Sequence, residues 1–355
     1  MKKIFVFLTS LLLVFSIVKC GSDSEKKNDK ENENSSVGQN DSTEIVSSTP
    51  YEVKEGEKFQ LVYNFTAGQS FKYRLTSSTI SEQNIVSDTV MNNKFEQKIT
   101  RTIDFNTLSV EHDTVAVIKC TIIDVKVYRN ANGNITTYKY GEKLDSTKRA
   151  QFVEFEGTTN SSFNFKASTH GDIIDIYNID GMIDSFIRLT NSKETITDES
   201  RTYMGKQIKD GFLKPMLNQI VRELPANKLA VGGSWERSIP PSQVMFFKFS
   251  YSNKYNLESI KKVDDDKIAV IKGKSNVSIE GDTSNVSRGV QYNFRQPVAS
   301  AGGNIYFNLD KGLVYKSTTD SKLMLNYEMQ MQGPNGLMKA TTKQNIINNN
   351  ITELL

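Results

Sequence analysis

The sequence predicts an α+β fold, mainly antiparallel β, with two pseudo-repeated half-domains forming a curved sheet and a helical insertion at about 180–224. Three observations carry this. Apolar residues recur at every second position in many short runs, Gly-, Asn- and Asp-rich turns punctuate those runs, and one stretch alone shifts to a helical period. A composition rich in Ser, Thr, Val, Ile, Phe and Tyr suits the pleated surface of strands.

The first element is an export signal. Lys2 and Lys3 supply a positive start, and Ile4 to Val18 is almost unbroken apolar sequence. Those fifteen residues would rise roughly 22 Å as a helix, short of the ~30 Å hydrocarbon core, which suits a cleaved signal. The run closes on Ile17-Val18-Lys19-Cys20-Gly21-Ser22, which resembles the lipobox of bacterial lipoproteins. The resemblance implies a signal peptide over 1–19 and a Cys20 that receives diacylglycerol and palmitate-type acyl chains. Lys19 departs from the pattern, which usually has a small residue there. An ordinary signal with an incidental cysteine, or an uncleaved anchor, is the alternative. Each acyl CH₂ buried in a membrane contributes about 0.8 kcal/mol, so two or three chains anchor firmly.

Residues 20–50 then form the lipid anchor and a disordered tether. Gly21 to Pro50 holds Ser, Asn, Asp, Glu and Lys with no aromatic residue, too little apolar surface to offset chain entropy. The tether would let the body stand clear of a cell membrane or outer membrane, on the periplasmic side or exposed at the surface.

Charge excludes one class of partner. The chain has 44 basic and 41 acidic residues, and the signal carries three lysines and no acid, so the mature chain holds 41 of each. A neutral body lacks the basic surplus that displaces counterions from nucleic acid. Of the two cysteines, Cys120 would have no partner once Cys20 is lipidated, and it sits in an apolar strand-like run as a buried, inert thiol.

Residues 51–355 make one β-rich body, with half-repeats at about 51–180 and 226–355 and a helical segment at 181–225. Phe59–Phe65, Phe71–Leu75, Phe152–Glu156 and Phe163–Lys166 alternate as strands. Asn132-Gly133, Gly232-Gly233, Asp264–Asp266, Gly302-Gly303 and Asp310–Gly312 read as turns. In the insertion, Phe212, Leu213, Met216, Leu217, Ile220, Val221 and Leu224 make one helical stripe, with Pro215 near its start and Pro225 stopping it. A shorter helix begins after Asp180 and buries Ile183, Phe186 and Ile187.

Three landmarks recur in order. Ala67–Phe71 matches Val231–Trp235, Val115–Lys119 matches Ile268–Lys272, and Gly171–Ile176 matches Gly303–Asn308. Pro225, Val231–Trp235, Ile268–Ile271 and Gly303–Val314, with an opening strand like Leu61–Leu75, resemble uncharacterised exported lipoproteins grouped as domain of unknown function 6263. That resemblance brings no activity, ligand or catalytic residue. A looser architectural likeness is to curved-sheet lipoproteins that carry lipids or acylated proteins across the periplasm.

Chemistry-bearing motifs are few. His112 and His170, the only histidines, both fall in turns and lack metal-ligand spacing, so neither a metal nor a cofactor is expected. Glu154 and Glu156 would share one strand face as a solvated pair, an acid/base pair being the alternative. Asp264–Asp266 lacks the downstream ligands of a calcium loop. Trp235, the only tryptophan, reads as core packing at the junction of the halves, with ligand stacking as the alternative. These features favour a non-enzymatic binding or interaction module for an unknown protein or lipid ligand, with an apolar cavity for a lipid or acylated molecule. An envelope hydrolase assembled from distant carboxylates and His is the competing reading.

Overall fold

The computed structural model describes residues 48–190, 196–333 and 336–355. Cys20, the signal and nearly all of the tether lie outside the described residues. The tether's last two residues, Thr49 and Pro50, form a short strand β1 that pairs with Lys262 and Lys261.

In the first half, β2 (Ser70–Val86), β3 (Val90–Glu111) and β4 (Val115–Ala131) form a meander, followed by β5 (Asn134–Lys139), helix α1 (Ser146–Thr158), β6 (Ser162–Ser168) and β7 (Ile173–Tyr177). The helices α2 (Asp180–Leu189), α3 (Asp198–Ile208) and α4 (Lys214–Ile220) come next. The second half is β8 (Ser234–Val244), β9 (Phe247–Val263), β10 (Asp266–Glu280), β11 (Ser284–Ser287), β12 (Val290–Phe294), β13 (Val298–Asn308) and β14 (Leu313–Gly333), and β15 (Gly336–Leu354) ends the chain. All of these strands join one antiparallel sheet, whose main order is β1-β9-β10-β13-β14-β15-β2-β3-β4-β6-β7.

The pairing displays the repeat. β2, β3, β4, β6 and β7 pair consecutively, as β8, β9, β10, β13 and β14 do, with β5 and α1 inserted at the same point of the first half as β11 and β12 in the second. The third landmark shifts in register. Gly171 (φ +89°) closes the β6–β7 turn, and its counterpart is Gly312 (φ +61°) in the β13–β14 turn, because both follow the fourth strand of the meander. Gly302-Gly303 is therefore no turn. It lies inside β13, where a Cβ on Gly303 would stand 1.9 Å from the Thr318 carbonyl oxygen.

The turn glycines also tie the halves together. Gly171 packs on the Arg222 carbonyl, in the segment entering the second half, and Gly312 packs on the Asn64 backbone, in the segment entering the first. Residues 59–65 bury alternate side chains as expected but form only an isolated bridge, Phe59 to Leu229, rather than a strand. Their partners are the two turns and the opposite entry segment.

Apolar residues from both halves bury against one set of helices, so the sheet curls around them. The expected stripe is real: Phe212, Leu213, Met216, Leu217, Ile220, Val221 and Leu224 are each at most 8% exposed. Its backbone differs from a single helix. Lys209–Leu213 is a π-turn closed by the Lys214 N–H on the Lys209 carbonyl, α4 ends at Ile220, and Val221 is extended. Pro215 offers no N–H and its ring crowds the carbonyl four residues back, which the wider turn accommodates. Ile183 is buried as expected, with Phe186 and Ile187 half-buried.

Phe152–Glu156 is helical, not a strand. Asp145 caps α1 by accepting from the N–H groups of Thr147 and Lys148, and Phe152 and Phe155, three residues apart, share the face that packs on Ile99, Val127 and Tyr138. The apparent alternation comes from Val153 and Glu154 falling between two buried rings. Cys120 is fully buried in β4, and burial pushes its thiol well above the usual range.

Candidate ligand-binding trough

The register of the long strands fixes which side chains face the helices. On β14 the inward residues run Ser317, Thr319 and Ser321, then Leu323, Leu325 and Tyr327, while Leu313 and Val314 at its start join the main core. One strand thus passes from apolar to polar to apolar on a single face. Its neighbour β15 repeats the polar stretch with Asn348, Asn350 and Thr352, and β2 continues it with Ser77 and Thr79. On the other flank, Gly303 and Ala301 of β13, Gly273 and Ser275 of β10, Asn253 of β9 and Arg237 of β8 complete the band. Most of these floor residues are small.

The band is buried. Asn253 and Thr319 are 0% exposed, and Asn348 is 4% exposed while its apolar neighbour Ile347 turns outward at 39%. Thr79, Asn348 and Ser321 form a hydrogen-bonded chain across three strands, at 2.8 and 3.3 Å. Other polar atoms have no partner among the described residues: Asn253 Oδ1, Ser275 Oγ, Ser77 Oγ and Gln219 Oε1. Buried polar groups are normally paired, so this concentration sets the band apart from ordinary core.

Arginines border it. Arg222, just past α4, is 4% exposed, and its Nη2 donates to Ser317 Oγ and Thr319 Oγ1, each at 3.2 Å. Arg101 on β3 is equally buried between the rings of Phe155 and Phe212, with its guanidinium carbon 5.6 and 5.3 Å from their centroids. Desolvation pulls the Arg101 guanidinium down to about 10, with Glu154 opposing the shift. Arg237 donates to the Leu224 carbonyl at 2.9 Å. No Asp or Glu occupies the inward positions of this band, from Arg101 across β2, β15, β14, β13, β10 and β9 to Arg237.

The expected site residues lie elsewhere or act differently. His112 and His170 sit in the neighbouring β3–β4 and β6–β7 turns, joined by the Thr169 N–H on the Thr114 carbonyl at 2.9 Å. Beside them a cleft of about 340 Å³ is lined by Tyr63, Phe65, Val110, Asp113 and Thr169. Glu154 and Glu156, being on α1, do not share a strand face. Each is tied to an arginine, Arg129 at 2.7 Å and Arg149 at 3.3 Å. Asp264–Asp266 is the β9–β10 hairpin turn, and hydrogen bonds from Lys311 and Asn308 hold the Asp266 carboxyl below the usual carboxylate range. Trp235 stacks on Tyr255 at 5.1 Å at one end of the band, half-buried, with its Nε1 unpartnered among the described residues. No cluster of three or more His, Cys, Asp or Glu with metal-binding geometry occurs among the described residues, and no described helix is long and apolar enough to cross a membrane.

Sequence reasoning missed Arg101, Arg222, Arg237 and the small polar floor. A signal was present: Lys316–Lys322 and Asn348–Asn350 are unbroken polar runs inside strands that otherwise carry apolar residues, so both faces of each strand, the inward one included, are polar there.

Comparison with known proteins adds a family and distant likenesses. A family model described as a family of unknown function, DUF6263, matches residues 113–314. No curated relative matches the chain. Among solved structures the chain is similar to lipovitellin, in a structure titled for lipid–protein interactions, at 12% identity and a TM-score of 0.39 over 80% of this chain and 25% of that one. It therefore spans about a quarter of that protein's length. It is also similar to the COG4313 outer membrane channel from Pseudomonas putida F1, at 7% identity and a TM-score of 0.20, covering 86% of this chain and 100% of the channel.

Proposed function

We propose, for a chain that belongs to DUF6263, a family of unknown function, that the curved sheet is the wall of a non-enzymatic binding module carried on a bacterial membrane by a lipid anchor. The carrying observation is the inner face of β14, apolar at both ends and polar in the middle. A face so patterned suits an amphipathic ligand, such as a lipid or another acylated molecule. Its polar group would meet the band, and its apolar part would lie along the second cluster, where Met329, Tyr292 and Ile279 are half-buried.

Two features support binding over hydrolysis. Glu154 and Glu156 are engaged by arginines, and the two histidines lie in hairpin turns next to a separate cleft. Native mass spectrometry of the full-length protein, extracted in mild detergent, tests the reading. The expected spectrum shows an adduct of lipid mass that organic solvent releases. A spectrum holding only the bare chain and its own acyl modification sinks the reading.

The anchor has its own test. Cys20→Ser should abolish incorporation of radiolabelled palmitate and release the protein from membranes. Unchanged labelling in the variant would move the modification, if any, to another residue.

A further inference from the structure

We propose that the polar band recognises an oxyanion, a phosphate or carboxylate, with Arg222 as its principal anchor and Arg101 as a second cation on the same face. This inference rests on the binding-module reading and names the chemistry of the group that the band receives.

The argument begins with charge. Arg222 is 4% exposed and has no carboxylate within ion-pair distance among the described residues, and its two acceptors, Ser317 and Thr319, are neutral hydroxyls. Its Nε–H is buried without an acceptor. A buried guanidinium lacking a counter-charge carries an uncompensated desolvation cost, which an anion in the band would offset. Arg101 is likewise 4% exposed with its Nε unpartnered among the described residues, and it lies against two aromatic faces, with Glu154, itself tied to Arg129, as the carboxylate that acts on it. Ring stacking engages the plane of a guanidinium and leaves its N–H edges available to oxygen.

Placement supports the same conclusion. Arg101 pairs across the sheet with Leu75, Leu75 with Thr352, and Thr352 with Ser317, so the two arginines flank one row three strands apart. Three strand spacings amount to roughly 14 Å along the sheet before curvature, a span that two long side chains narrow considerably. The adjacent row, which ends on Thr319, holds the hydroxyl of Ser77 and the amide of Asn350. No carboxylate occupies these inward sheet positions, so nothing on the sheet neutralises Arg222.

Arg222 is also pre-positioned. Its N–H donates to the Tyr63 hydroxyl at 2.6 Å, that hydroxyl donates to the Arg222 carbonyl at 3.1 Å, and Gly171 packs on the same carbonyl. Backbone held on two sides fixes the origin of the side chain, which lowers the ordering cost of gripping a ligand.

Titration calorimetry on the full-length protein with dodecyl phosphate, dodecanol and inorganic phosphate tests the inference. Dodecyl phosphate should bind at least tenfold more tightly than dodecanol. Arg222→Met should remove that preference, Arg222→Lys should keep most of it, and Arg101→Met should weaken it. Competition by inorganic phosphate would support a free anion as the natural ligand; dodecyl phosphate bound without such competition would support a lipid headgroup. Equal affinity for dodecyl phosphate and dodecanol, unchanged by Arg222→Met, overturns the inference and leaves the binding module standing. Failure of all three probes to bind also overturns it, and the binding module is then judged by the copurified adduct. Unfolding midpoints of each variant show whether a lost preference reflects a lost fold.

Discussion

Leu217→Asp should abolish the cooperative unfolding transition of the body. Leu217 is fully buried on α4, in the cluster that both halves share. The substitution removes about 1.5–3 kcal/mol of apolar burial and forces a carboxylate into an apolar cluster. Together these should cost more than about 4 kcal/mol, much of the ~5–15 kcal/mol that holds a typical domain folded. Circular dichroism on heating should show no sharp melt, and limited proteolysis should degrade the body completely. Leu108→Asp provides the control, because Leu108 is 48% exposed on β3 and should shift stability by no more than about 0.5 kcal/mol. Equal melting losses in the two variants would refute the packing assigned to α4.

Gly171→Val should be nearly as damaging, and it should damage the trough as well. A Cβ at Gly171 would stand 2.0 Å from the Arg222 carbonyl oxygen and 3.0 Å from Tyr63, at a φ of +89° that L side chains rarely adopt. Backbone strain alone costs about 1–3 kcal/mol, and separating two backbones adds to it. Gly133→Val isolates the strain, since Gly133 has φ +90° with nothing within 4 Å of its Cβ. Denaturant midpoints should fall further for Gly171→Val than for Gly133→Val, and only the former should lose the preference for dodecyl phosphate. Matching losses would mean that strain, not the contact with Arg222, governs the position.

The helical stripe was legible residue by residue because its period differs from everything around it. Pro215 was visible too, but the π-turn was not, since local pattern does not reveal how a helix will absorb a proline. At α1 the spacing of Phe152 and Phe155 fits one helix face, yet the interleaved Val153 and Glu154 resemble a strand, and the sequence reading passed over Asp145, which caps the helix. The trough was illegible for a deeper reason. Its floor takes Ser77, Asn253, Thr319 and Asn350 from four strands spread over most of the body, and alternation does not say which parity faces in when both faces mix polar with apolar. Outward Ile347 beside inward Asn348 reverses the usual assignment. Only the pairing register resolves it.

The last strand has a consequence for how the chain reaches this state. β15 lies between β14 and β2, and pairs Leu354 with Tyr73 and Thr341 with Val86. Without it, the two meanders share no ladder at the seam. The first half therefore leaves one side of β2, seventeen residues long, unpaired until residues 341–354 are available. Closing so large a loop is slow, and a long bare strand edge invites pairing with other chains in the interval. Folding of this molecule is completed when β15 closes the seam between β14 and β2.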